Sequence, residues 1–134
     1  MKTYEKGAVG EMRVTGDLIT QGFRVHKPLV DSLAYDLVCS KNGVFYTVQV
    51  KYVSLKNGVI DTTPRRVKAS RERENNVEFD ILAIYCPDTS ECYYLFNDDF
   101  RSSIRLRVSE PKNNLTKGIH YAKDYTDLWK RISK

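Results

Sequence analysis

The stretch GVFYTVQVKYV, residues 43–53, decides how this chain is read. Its side chains alternate, with Val44, Tyr46, Val48, Val50 and Tyr52 on one face and Phe45, Thr47, Gln49, Lys51 and Val53 on the other. That is a strand, and it carries an amide and an ammonium on one of its faces. AYDLVCSK (34–41) precedes it as a second strand, and Asn42-Gly43 between the two predicts a two-residue type I′ hairpin turn. With Asn42 and Gly43 as the loop, Lys41 faces Val44 and the same register sets Asp36 opposite Gln49. Directly opposed residues have Cβ atoms about 5 Å apart and diagonal neighbours lie about 7–8 Å apart. Asp36, Gln49 and Lys51 are therefore expected on one patch of one sheet face, and a slip of one residue would scatter them.

A helix is expected over residues 4–21, with Tyr4, Ala8, Glu11, Thr15 and Leu18 on its stripe, Met12 and Ile19 beside them, and Gly22 as its stop. FRVHKP (23–28) reads as a short strand, and NGVIDTT (57–63) as another. EFDILAIYCP (78–87) reads as a buried strand with ECYYLF (91–96) as its hairpin partner, and SSIRLRV (102–108) also alternates. A helix over 121–132 closes the chain, with Tyr125, Leu128, Trp129 and Ile132 on one face. Helix, hairpin-linked strands and helix in that order predict an α+β fold, a mixed sheet flanked by helices.

The 134 residues suit one domain spanning 1–134, with 41% hydrophobic and 29% charged residues excluding wholesale disorder. A net charge of +5 favours a polyanionic partner. No apolar run approaches a membrane span, and MKTYEKGAVGE lacks a signal-peptide core, so a cytoplasmic, membrane-free protein is expected. Cys39, Cys86 and Cys92 form no CxxC pair and read as reduced core residues rather than a zinc site. His26 and His120, each alone beside apolar residues, read as structural.

Glu11 sits on the helix stripe expected to face the sheet, where a carboxylate is costly unless paired or metal-bound. Helix and hairpin together could then present Glu11, Asp36, Gln49 and Lys51. Two carboxylates suit Mg²⁺, which takes oxygen ligands and keeps waters for a phosphate-bearing substrate. A neighbouring ammonium can stabilise charge on a phosphate or orient an attacking water. Each residue also has a plainer reading: a Lys–Asp pair across a hairpin is often a solvated contact, and a helix Glu often marks the exposed edge. Convergence of four polar groups from three elements favours phosphodiester hydrolysis.

These residues resemble the PD-(D/E)XK nuclease superfamily: a helix with Glu, a strand with Asp, then a strand with acid-X-Lys. KGAVGE, YDLV, QVKYVSLKNG, FDILAIYCPDTSECYY and EPKNNLTKGIHYAKDY are similar to group I intron-associated, homing-type members, and archaeal Holliday junction resolvases share the core more distantly. The resemblance implies a restriction-endonuclease-like, αβα sandwich-like core. It makes Asp36 the central metal ligand and Glu11 a ligand directly or through water. The Val50 carbonyl completes the shell, Lys51 lies near water and phosphate, and Mg²⁺ is the ion with Mn²⁺ as substitute. Tyr35 stands where the motif has proline, and Gln49 where it has the second acid. An amide oxygen can coordinate a cation but brings no charge.

PRRVKASRER (64–73) gathers Arg65, Arg66, Lys68, Arg71 and Arg73, and Lys56 lies close in sequence. Such a cluster is expected to contact DNA phosphates, although Glu72 and Glu74 allow it to be a solvated loop. The expected protein is a Mg²⁺-dependent endonuclease on double-stranded DNA. One site cuts one strand, so a homodimer or homotetramer is expected. The alternatives are a Holliday junction resolvase or repair nuclease, and a DNA-binding module of weak or absent activity.

Overall fold

The hairpin forms where the sequence places it. The computed structural model describes residues 1–31, 34–63, 79–100, 103–109 and 119–133. Helix α1 (Thr3–Thr20) is followed by strands β1 (Arg24–His26), β2 (Leu37–Lys41), β3 (Val44–Tyr52), β4 (Val59–Thr62), β5 (Ile81–Cys86), β6 (Glu91–Phe96) and β7 (Ile104–Arg107), then by helix α2 (Leu128–Ile132). Asn42 and Gly43 both take positive φ, 54° and 81°, as a type I′ turn requires. The β2–β3 ladder then runs from Lys41↔Val44 to Leu37↔Val48, in the predicted register.

A five-stranded sheet has the order β1-β2-β3-β5-β6, with β3–β5 parallel and the other pairs antiparallel. The mixed sheet and the α+β class are as the sequence predicts. All residues of β5 are buried because both faces of the sheet are covered. On one face Val14 and Leu18 of α1 and Leu128 of α2 pack with Leu37, Val48, Ile81 and Ala83. On the other, Ile60, Ile104 and Leu106 pack with Leu82, Ile84, Tyr93 and Leu95.

Several expectations change in detail. β4 and β7 leave the main sheet and pair with each other as a separate two-stranded sheet. The β4 strand starts late because Lys56-Asn57-Gly58-Val59 makes a tight turn of its own, with Asn57 and Gly58 at φ 54° and 76°. The expected helix over 121–132 is broken into a 3₁₀ turn, Ala122–Tyr125, and α2. The break comes at Asp127, whose carboxylate accepts from the Lys130 N–H at 2.9 Å and starts a new helix.

The buried stripe of α1 is also narrower than expected. Gly10, Val14 and Leu18 are buried, whereas Tyr4, Met12 and Ile19 are exposed at 72%, 73% and 57%. The reason is close approach. A Cβ built on Gly10 would lie 3.4 Å from Val50 Cγ1 and 3.6 Å from Tyr52 Cβ, so the helix axis rests directly on β3. The three cysteines are free and buried, and burial pushes the thiols of Cys39 and Cys92 up to about 12. Tyr93 and Tyr94 face opposite sides of the sheet and both are buried. Among the described residues no helix is long and apolar enough to cross a membrane.

The Gly10 contact is testable by denaturant unfolding. Gly10→Leu forces α1 off β3 and should cost about 1–3 kcal/mol. Gly7→Ala, where nothing lies within 4 Å, should instead stabilise by up to about 1 kcal/mol through helix propensity.

Candidate active site

Four of the expected site residues lie around the end of the β2–β3 ladder. β2 ends at Leu37, so Asp36 is not a ladder partner of Gln49 as the sequence register implied. Its N–H donates to the Val48 carbonyl at 2.8 Å, and its carboxylate Oδ2 accepts from the Val50 N–H at 2.8 Å. Asp36 thus supplies with its side chain the acceptor that β2 would otherwise have provided. In a strand the N–H and C=O of one residue point to the same side. The Val50 carbonyl is therefore directed to the edge where Asp36 sits.

Glu11 arrives from the helix side of the sheet. Gly10 presses α1 onto Val50 and Tyr52, and Glu11 follows at the edge of the buried stripe with its side chain 28% exposed. Lys51 lies on β3 and alternates to the face opposite α1. It makes no ion pair among the described residues. The sheet edge is thus approached from both sides, rather than from one face as the sequence suggested.

The electrostatics of Asp36 record this convergence. Burial raises its pKa above the usual carboxylate value. The Val50 N–H works against burial, the Glu11 carboxylate adds to it, and the Lys51 and Lys27 ammonium groups oppose it. The net shift is upward. An ionised Asp36 is thus held at a cost that a cation would relieve.

Gln49 is 4% exposed, and its Nε2 donates to the Ala34 carbonyl at 3.0 Å. A carboxylate at this position would face that carbonyl without a proton to donate. An amide fits, and it ties the segment carrying Asp36 back onto β3. Lys27 is a residue that sequence reasoning missed. Its Nζ lies 2.7 Å from Glu11 Oε1, and this contact and the charge of Glu11 raise its pKa, with burial opposing. The β1–β2 register pairs His26 with Val38 and carries Lys27 towards Asp36, a pairing that no turn signal in the sequence sets.

Arg65, Arg66, Lys68, Arg71 and Arg73 lie outside the described residues. Lys56 is described and pairs with Val59 across the second Asn-Gly turn through backbone bonds of 2.9 and 3.1 Å. Among the described residues there is no cluster of three or more His, Cys, Asp or Glu able to hold a metal. Two carboxylates and a backbone carbonyl remain, and that donor set suits an ion that keeps most of its waters, as Mg²⁺ does. A cavity of about 360 Å³ opens elsewhere, beside Asp98, Phe100, Arg105 and His120, and none of the candidate residues lines it.

The structure is similar to that of a bacterial homing endonuclease, I-Ssp6803I, with a TM-score of 0.69 and 25% sequence identity, covering 98% of this chain and 91% of that one. No curated protein matches the chain. Residues 1–128 match the PD-(D/E)XK endonuclease family, and the chain belongs to that family of nucleases.

The raised Asp36 pKa predicts a sign. The folded state holds this proton to higher pH than the unfolded chain, so stability is lost as pH rises through the interval between the two pKa values. Asp36→Asn removes the charge. Thermal melts in metal-free buffer should show the variant gaining on the wild type from pH 3 to pH 7; a variant that loses ground as pH rises contradicts the assignment.

Proposed function

We propose that this chain is a Mg²⁺-dependent DNA endonuclease of the homing type, with Asp36 and Glu11 as metal-holding carboxylates and Lys51 as the ammonium beside the scissile phosphate. The observation that carries this reading is the meeting of Glu11, Asp36 and Lys51 around the Val50 peptide. Family membership supports the chemistry, and likeness to a protein described as a bacterial homing endonuclease supports the type. A site at the end of the β2–β3 ladder, outside the cavity beside Asp98 and His120, would suit a substrate as broad as a duplex.

A divalent ion held by Asp36, Glu11 and the Val50 carbonyl would supply positive charge to the phosphate oxygens and acidify a water. The protein's own groups do the rest. The Val50 N–H fixes one oxygen of Asp36, and the other would be left for the ion. Lys51, on a rigid strand, can donate to a non-bridging phosphate oxygen or hold the attacking water. Gln49 anchors the Asp36 segment through Ala34 and brings no charge, which favours a single well-held metal over two. Arg65, Arg66, Lys68, Arg71, Arg73 and Lys56 would add phosphate contacts along the duplex. Cutting both strands needs two such sites, hence a homodimer or homotetramer.

Cleavage of supercoiled plasmid, a four-way junction and single-stranded DNA in Mg²⁺ or Mn²⁺ tests this reading. Asp36→Asn and Lys51→Ala should each lower the rate by about 10²–10³-fold or more while melting as cooperatively as the wild type. Preference for a defined duplex sequence supports the homing type, and preference for the junction supports a resolvase. Wild-type protein that binds DNA and cuts none of the three would contradict the catalytic reading. Separately, Arg65→Ala with Arg66→Ala should reduce the slope of log affinity against log salt by about two; an unchanged slope makes that segment a bystander.

A further inference from the structure

We propose that Lys27 is an exchangeable counter-ion, which holds Glu11 while the site has no metal and passes to a DNA phosphate when a divalent ion takes Glu11. The proposal rests on the reading of Glu11 and Asp36 as metal-holding groups. Its own ground is the geometry of Lys27. The Lys27 Nζ lies 2.7 Å from Glu11 Oε1, on a carboxylate that a metal would need, and Asp36 lies close enough for its charge to act on Lys27. An ammonium and a divalent cation cannot share one carboxylate oxygen without strong repulsion, so one displaces the other.

The two lysines of the site are built differently. Lys51 stands on β3, held in register against Ile84 of β5. Lys27 follows the last residue of β1, and its side chain is 67% exposed. Pro28 after it restricts the Lys27 backbone to extended geometry. The backbone is therefore held while the long side chain can swing. An exposed pair of this kind is weak, about 0–1 kcal/mol, which suits a contact that must be given up. Released beside bound DNA, the ammonium can pass to a backbone phosphate. Metal and DNA then bind cooperatively, each removing Lys27 from the state the other disfavours, and the coupling is reciprocal.

Mn²⁺ titration of DNA-free protein, followed by electron paramagnetic resonance, tests the exchange. Lys27→Gln should bind Mn²⁺ up to about five-fold more tightly than the wild type, the factor equivalent to an exposed ion pair. In a Glu11→Gln background the same substitution should change nothing. Unaltered affinity in the single variant, or an equal gain in both backgrounds, overturns the proposal, since the second would be long-range charge alone. Failure of the underlying site would look different: no wild-type Mn²⁺ binding that Asp36→Asn abolishes, which overturns the metal-site reading and this proposal with it. Duplex binding in Ca²⁺ or in EDTA tests the destination. Lys27→Gln should lose about one phosphate from the salt slope in Ca²⁺ and none in EDTA. No loss in Ca²⁺, or an equal loss in both, overturns the transfer to phosphate.

Discussion

The hydrogen bond from the Val50 N–H to the Asp36 carboxylate is the interaction around which the rest of the site is organised. It exists because β2 begins only at Leu37, directly after Asp36, while β3 continues to Tyr52. The strand edge left open there needs an acceptor, and an Asp side chain supplies it. That use of the carboxylate fixes its position more firmly than a surface residue would be fixed. Glu11, Lys27 and Lys51 lie close enough for their charges to act on it.

Two constraints upstream keep this arrangement in register. Positive φ at Asn42 and Gly43 closes the hairpin in two residues, so Leu37 meets Val48 and no other partner. Gly10 allows α1 to lie on Val50 and Tyr52, which carries Glu11 to the same point from the other side of the sheet. Burial on both faces then holds β3 and β5 in place, with cores of Val48, Ile81 and Ala83 below and Leu82 and Ile84 above. Within that frame the two carboxylates, Glu11 and Asp36, lie close enough for the charge of one to disfavour ionisation of the other. Burial first, and the Glu11 charge after it, push the Asp36 pKa upward, while Lys27 pairs with Glu11.

Local rules carried most of the fold. The Asn42-Gly43 register, the α1 span, the buried β5 strand and its partner β6 follow from periodicity and turn chemistry, which act over a few residues. The departures lie where distant contacts decide. Tyr4 and Met12 satisfy helical periodicity, yet the buried face goes to Gly10, because proximity to β3 rewards the absence of a side chain. β4 alternates like any strand, but only its pairing with β7 decides that it leaves the main sheet. In the site, Asp36, Gln49 and Lys51 were legible from hairpin arithmetic. The Gln49–Ala34 bond and the Lys27–Glu11 pair were not, since each joins a side chain to a segment of no regular structure.

The endonuclease family supplies the class of chemistry, and the strand edge supplies the geometry on which it would act. The most direct test is anomalous diffraction from a crystal grown with duplex DNA and Mn²⁺. The account predicts a metal peak bonded to Asp36, near Glu11 and the Val50 carbonyl, with Lys51 on the adjacent phosphate and Lys27 withdrawn from Glu11. A peak held by other residues, with Asp36 still bonded only to the Val50 N–H and Lys27 still on Glu11, would contradict it.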